Sequence, residues 1–321
     1  MTASASSGHI VPIPLPTPFI VGPVNAYLIR GEPLTLIDTG PATEDAYGAL
    51  VAALRSHGVA TADLEAIVVT HSHVDHVGNL ARLVDESRAI TYGHRTAEVL
   101  PGDREAHEER TNTFILHTLT TFGAPQSVID ATAEARGTFK AMTSHVKLDE
   151  ILEHGDHALG YSVHHVPGHS ASDTLYFDEA RRLAFTGDHL LKKASPTPLL
   201  RAEPGTTTRV RSLLEYQRSL AHTRALPIET CYPGHGEPFK CHTDVIDRWL
   251  DRLEKRTARV LEFLRERSMT PMEVCERLYP DLDPSTIYIG LAVAIGHLDV
   301  LEERGLAASD ASHEVLRYSA A

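Results

Sequence analysis

The sequence predicts an α/β protein in two parts. A layered α/β domain spans residues 1–244, with a helical insertion at about 94–147, and a helical, winged-helix-like domain spans 245–321. Three observations carry this. Short β-branched runs alternate with helical periodicity over residues 25–90. The alternation lapses at the insertion and resumes near residue 147. Beyond residue 243 the chain is almost entirely helical in pattern. A length of 321 residues also fits two domains of about 150.

Residues 25–29 read as a strand, 31–33 as a turn and 34–38 as a second strand. Residues 43–56 have helical spacing, with Ala46, Leu50, Ala53 and Leu54 on one face and Gly58 past the end. Residues 65–70 are continuous and β-branched, as a buried strand requires, and run into a polar loop, with a helix opening near Gly78. In the insertion, 113–122 and 127–135 look helical. Short strands return at 146–152, 162–166, 174–177 and 183–186, followed by a helix at 207–221 and a last strand at 229–232. The helix expected at 243–267 has Ile246, Trp249, Leu250, Leu253, Val260, Leu261 and Leu264 on its apolar face. Thr270-Pro271 opens a short helix, since proline suits the first helical position. A third helix fits 284–303 and a hairpin fits 306–319.

Acidic residues number 43 against 30 basic ones, a net charge of −13. Such a surface repels phosphate backbones and anionic membranes, which argues against nucleic acid as a partner. The N-terminal residues are small and polar, with no basic segment ahead of an apolar run, and no stretch suits a membrane span, so the expected location is cytoplasmic. Three cysteines, Cys231, Cys241 and Cys275, with no CxxC pair, argue against a disulfide framework or a cysteine zinc site and read as mostly buried thiols. The anomaly is 20 histidines against 8 phenylalanines, which invites a search for metal sites.

That search converges on one segment. His71, His73, Asp75 and His76 lie within six residues, directly after a hydrophobic strand. Imidazoles at 71 and 73 can share one ion, while Asp75 and His76 can serve a second. Three further donors each close a strand-like segment behind a glycine: His169, Asp188 and His235. Glycine lets the backbone turn sharply and approach a ligand closely. Imidazoles and carboxylates suit two divalent metal ions such as zinc, iron or manganese. His164 and His165 fall on a strand near this site, and His189 is a candidate pocket residue. The remaining histidines, among them His94, His107, His145, His154, His222, His242, His297 and His313, read as ordinary surface side chains.

The run Thr70-His71-Ser72-His73-Val74-Asp75-His76-Val77-Gly78, with Pro167-Gly168-His169-Ser170, Thr186-Gly187-Asp188 and Pro233-Gly234-His235-Gly236, closely resembles the motifs of the metallo-β-lactamase-fold hydrolases. Asp38-Thr39-Gly40 supplies the first motif of that family, and the resemblance covers residues 10–240. It implies an αββα sandwich with the metals at one edge of two sheets. It also implies that His71, His73 and His169 hold one metal, Asp75, His76 and His235 the other, and that Asp188 bridges them. Asp38 is expected to hydrogen-bond beside the site. The Asp75-His76 pair and Asp188 are similar to the glyoxalase II branch, and the C-terminal helices to the branch of β-lactamase-like protein 2, some members of which cut single-stranded RNA. True β-lactamases have cysteine where Asp188 stands, which argues against antibiotic hydrolysis.

The expected chemistry follows. Two close divalent ions sharing a water lower its pKa toward neutrality and hold it as hydroxide. Asp75 and Asp188 are the expected catalytic carboxylates; no Ser-His-Asp nucleophile is needed, and no GxSxG or Gly-rich phosphate loop is present. The first expectation is a hydrolase of a thioester, ester or lactone, with a small-molecule acyl substrate. The alternatives are a metal-dependent nuclease or phosphodiesterase on single-stranded RNA, and an iron sulfur-dioxygenase. Residues 268–321 hold three basic residues, Arg277, Arg304 and Arg317, and nine acidic ones, a charge wrong for gripping RNA. For the C-terminal domain, shaping the substrate entrance is expected first, with folding support or a homodimer contact as alternatives.

Overall fold

A computed structural model describes residues 9–19, 21–97, 104–141, 147–203, 205–283, 286–312 and 314–321. His145, His313, the side chain of His107, Pro284 and the first residue of the strand expected from 146 lie outside what is described. The chain forms two compact units. The first holds residues 1–104, 139–196 and 222–245, and the second holds 105–138, 197–221 and 246–321.

The first unit contains two sheets. Strands β1 (His9–Leu15), β2 (Val24–Arg30), β3 (Thr35–Ile37), β4 (Ala66–Val68), β5 (Ile90–His94) and β6 (Glu150–Leu152) lie side by side in sequence order. Helices α1 (Glu44–Ser56), α2 (Val74–Val77) and α3 (Leu80–Ser87) fall between β3 and β5. They supply the crossovers that the parallel pairs β3–β4 and β4–β5 demand. The Thr43 hydroxyl accepts the Ala46 N–H and caps α1. β1 is a strand the sequence pattern hides, because Pro12 and Pro14 interrupt it. Both prolines point outward while Val11, Ile13 and Leu15 are buried. An edge strand with a free side tolerates the missing N–H groups. The second sheet runs β11-β10-β9-β8-β7, from β7 (His157–Ala158), β8 (Tyr161–His165), β9 (Thr174–Asp178), β10 (Leu183–Gly187) and β11 (Thr230–Pro233).

Tyr27, Ile29, Ile37 and Val68 of the first sheet cluster with Tyr161, Val163, Tyr176 and Phe185 of the second, so one face of each sheet is buried against the other. The opposite face of the first sheet buries Leu28, Leu36 and Ile67 under Leu50 and Leu54 of α1 and Leu83 of α3. Hydrogen bonds also join the sheets: the Tyr176 hydroxyl donates to Val69 O at 2.8 Å, and Thr174 N–H donates to Thr70 O at 2.9 Å.

The second unit includes α4 (Arg104–Thr121), α5 (Gln126–Ala141), α8 (Pro271–Leu278), α9 (Ile287–Glu303) and the hairpin of β12 (Ala307–Asp310) with β13 (Arg317–Ala320). Most of α6 (Ser212–Ala225) and α7 (His242–Glu266) belongs to it as well. The helix, helix, helix, hairpin order expected at the C-terminal end is the order found. The insertion helices are longer than the pattern showed and pack with these C-terminal elements: Phe114, Leu119 and Phe122 share a core with Val260, Met272 and Leu298. The helix expected from residue 207 begins at Ser212, because Ala202 and Arg209 pair as a β-bridge instead. Thr270 and Glu273 form the reciprocal capping box of α8. Cys231 and Cys275 are buried thiols and Cys241 is exposed. Among the described residues no helix is long and apolar enough to cross a membrane.

His297, in the middle of α9, is fully buried and its Nδ1 lies 2.8 Å from the Thr257 hydroxyl. It is a core residue, not the surface side chain expected. Burial, assisted by Arg256 and Arg304, pushes it down to about 3. The folded state therefore keeps it neutral, while the unfolded chain takes up a proton below about pH 6.5. Its stabilising contribution is present above pH 6.5 and is lost as pH falls. From pH 7 to pH 5 the loss is about 2 kcal/mol. We expect the stability gap between wild type and His297→Asn to narrow by that amount over this interval. Urea unfolding read through Trp249, the one tryptophan and a buried residue of the same unit, measures it. A pH-independent gap would contradict the assignment.

Candidate metal centre

The seven predicted donors come together in the first unit, at strand ends and in the turn of α2. One nitrogen from each of His71, His73 and His169 forms one group, and donor atoms of Asp75, His76 and His235 form a second. A third grouping, His71, His76 and Asp188, links the two. His71 Nε2 lies 3.1 Å from His73 Nδ1, which lies 2.9 Å from His169 Nε2. Donors bound at about 2.0–2.1 Å around one tetrahedral ion sit about 3.3 Å apart, so these nitrogens are near ligand spacing. The Asp188 carboxylate lies between the groups. Its Oδ1 is 3.5 Å from His76 Nε2, and its Oδ2 is 3.7 Å from His169 Nε2 and 3.5 Å from His235 Nε2.

Backbone geometry explains the recurring glycines. Gly187 has φ +46°, and an added Cβ would sit 2.8 Å from the Thr70 hydroxyl. At Gly234 a Cβ would strike Asp188 Oδ1 and lie 2.7 Å from His76 Cε1. A larger residue there would occupy the space between donors. The helix at this point opens at Val74, earlier than expected, so Asp75 and His76 sit on a helical turn.

Outer hydrogen bonds decide which nitrogen of each ring faces inward. Asp38 lies beside the donors, 2.8 Å from His76 Nδ1, and accepts from the Thr70 N–H and hydroxyl. With its hydrogen spent on Asp38, the Thr70 hydroxyl accepts from His71 Nδ1–H at 3.1 Å, which leaves His71 Nε2 bare. His235 Nδ1 donates to Pro23 O at 2.8 Å. Such partners fix ring orientation and tautomer in metal sites. Asn25 adds a clamp that sequence reasoning missed: its amide donates to Pro233 O and Gly236 O, and the Tyr27 hydroxyl donates to Pro233 O at 2.6 Å. Nothing in a strand reading VNAYLIR signals this, because the partners lie more than 200 residues away.

The electrostatics divide the ligands. Burial, then the neighbouring His76 and His73, holds His71 well below its ordinary range. Burial and His169 push His73 down to about 3. Both are neutral and ready to donate lone pairs. For His76 burial acts downward, but Asp38 and Asp188 outweigh it and raise the ring well above 6.5. Burial also lowers His235, and Asp188 and Asp75 reverse it to about 9. Burial raises the Asp188 carboxyl, yet His76 and His235 hold it well below the usual range. Asp75 behaves likewise through His76 and His235.

His76 Nε2, His235 Nε2 and Asp188 Oδ1 are buried and have no hydrogen-bond partner in the protein. Three inward orphans of ligand type, in a family of donors at this spacing, fit cations rather than a packed core. The nearby histidines have partners of their own. His189, the candidate pocket residue, is buried and its Nε2 lies 2.8 Å from the Thr223 hydroxyl. His165 stacks on His94 at 3.8 Å and bonds Ala171 O. His164 joins a different histidine group.

The fold and this donor set define a metallo-hydrolase, and the chain belongs to the Metallo-beta-lactamase superfamily, whose family model matches residues 19–235. It is a metal-dependent hydrolase. It is 34% identical over 296 residues to the probable metallo-hydrolase YqjP of Bacillus subtilis, covering 91% of this chain and 92% of that protein. A β-lactamase-like protein 2 homolog of Caenorhabditis elegans is 25% identical over 83% of this chain and 74% of its own. Among solved structures, the metallo-β-lactamase family protein TTHA1429 of Thermus thermophilus superposes with a TM-score of 0.83 at 24% identity, over 97% of this chain and 98% of that one.

Proposed function

We propose that this hydrolase acts on a thioester, ester or lactone, through a dinuclear centre held by His71, His73 and His169 on one side, Asp75, His76 and His235 on the other, and Asp188 between. When bound, the metals would supply Lewis acidity and a water acidic enough to ionise near neutral pH. The protein's own groups do the positioning. Asp38 holds the His76 ring by its Nδ1, so that Nε2 faces the centre. Pro23 O does the same for His235. Asp75 Oδ2, 3.3 Å from His235 Nε2, is an ionised carboxylate at the edge of the group and is placed to take a proton from the attacking water and pass it to the leaving group.

The observation that favours an acyl substrate over a phosphodiester is charge. The chain carries −13 overall, and residues 268–321 carry nine acidic residues against three basic ones. A net charge of that sign disfavours a polyphosphate. The test is the zinc-loaded protein against an acyl-CoA thioester, a lactone, bis(p-nitrophenyl) phosphate and single-stranded RNA. We expect kcat/KM for the best acyl substrate to exceed that for either phosphodiester by about 100-fold, a difference of about 2.7 kcal/mol in barrier. The reverse order, with RNA binding that weakens steeply with salt, would replace this reading with the nuclease.

A further inference from the structure

A second group of metal-type donors lies in the first unit, apart from the seven. His154, in the turn after β6, His164, in β8, and His222, near the end of α6, each offer one ring nitrogen, and these atoms lie within 4.8 Å of one another. The sequence does not group them, since they are separated by up to 68 residues and share no motif.

Hydrogen bonding sets the tautomer. The Ser162 hydroxyl donates to Phe177 O at 3.2 Å, so toward His164 Nε2, also at 3.2 Å, it can only accept. His164 therefore carries its hydrogen on Nε2, and Nδ1 is a bare lone pair. That lone pair points at His222 Nε2, 3.0 Å away. The separation matches the 2.9 and 3.1 Å between histidine nitrogens of the main centre, and is near the ~3.3 Å of two donors on one tetrahedral ion. The Ser162–His164 bond is the kind of outer contact that orients a metal-bound imidazole. His164 and His222 are half-buried, while His154 is exposed and can swing onto an ion from solvent. Burial and the neighbouring imidazoles push His164 down to about 4 and lower His222, so both are neutral at pH 7.

We propose that His154, His164 and His222 form a further metal site, separate from the hydrolytic centre, that takes one late first-row divalent ion such as zinc through three neutral imidazoles, with a fourth position open to water. Three imidazoles without a carboxylate among them suit zinc, nickel or copper better than magnesium or calcium. In the metal-free protein His222 Nε2–H donates to His164 Nδ1. On binding, the ion replaces that hydrogen and His222 carries it on Nδ1 instead, so no net proton is released from this pair. The ion would staple the end of α6 to β8 and to the turn after β6. None of these residues belongs to the catalytic machinery.

The experiment is zinc binding by the full-length protein at buffered free zinc, with bound metal counted by mass spectrometry and thermal unfolding followed in parallel. We expect wild type to bind one equivalent more than the His154→Gln/His222→Gln double variant. We also expect a zinc-dependent rise in Tm that the double variant lacks. His154→Gln alone, at an exposed position, should weaken this equivalent at least tenfold and leave the others unchanged. Equal metal content and equal Tm response in wild type and both variants would overturn the proposal. Because metal count and Tm are read without substrate, the result is independent of which ester the enzyme cleaves.

Discussion

Asp188→Ala is expected to lower kcat/KM by about 10³-fold while leaving the fold intact. The carboxylate faces His76, His169 and His235, and so lies against both sets of donors. Losing it would loosen the hold on the metals and weaken the Lewis acidity they would supply, and about 4 kcal/mol corresponds to three orders of magnitude in rate. The fold should survive because the side chain adds no apolar packing. Asp188 follows β10, whose neighbours Ala184 and Phe185 are fully buried. The measurement is steady-state hydrolysis with metal content matched to wild type, alongside thermal unfolding. Activity near wild type at matched metal would refute the bridging role.

The largest effect on stability is expected at Phe185, which is fully buried where the two sheets face each other. Its ring meets Tyr27 edge-on at 5.2 Å and Tyr161 at 5.7 Å, and lies 5.3 Å from Tyr232. Truncating a buried phenylalanine costs about 3–5 kcal/mol, because the lost transfer energy adds to an unfilled cavity. Three aromatic neighbours should put Phe185→Ala in the upper part of that range. Three rings that cannot shrink also leave the cavity little chance to close. Urea unfolding followed by far-UV circular dichroism is the readout. A loss under 1 kcal/mol would mean that the sheets collapse into the space and that the aromatic cluster is not what separates them.

The elements most readable from sequence were those with local causes. α1 and α8 announce themselves by Thr43 and Thr270, whose hydroxyls cap them. The buried strands β4 and β10 announce themselves by unbroken apolar runs. β1 stayed hidden because its two prolines obey an edge rule that only the finished sheet reveals. The insertion helices were foreshortened because their polar stretches dilute the helical pattern, and their packing with α8 and α9 is a long-range fact.

The donors of the candidate centre could be singled out without coordinates because each stands in its own short motif, a histidine or aspartate at a strand end behind a glycine or within one turn. Residue type and local backbone carry that information, and the sequence alone determined the family and the chemistry its donors suit. Tertiary structure decided everything that depends on neighbours distant in the chain. It aimed the bare nitrogens through Asp38, Thr70 and Pro23 and placed the Asn25 clamp. It also sorted the surplus histidines into a buried core residue, His297, a stacked pair, His94 with His165, and the trio His154, His164 and His222. A histidine's role is set by what its two nitrogens meet, and those partners are chosen by the fold across tens to hundreds of residues.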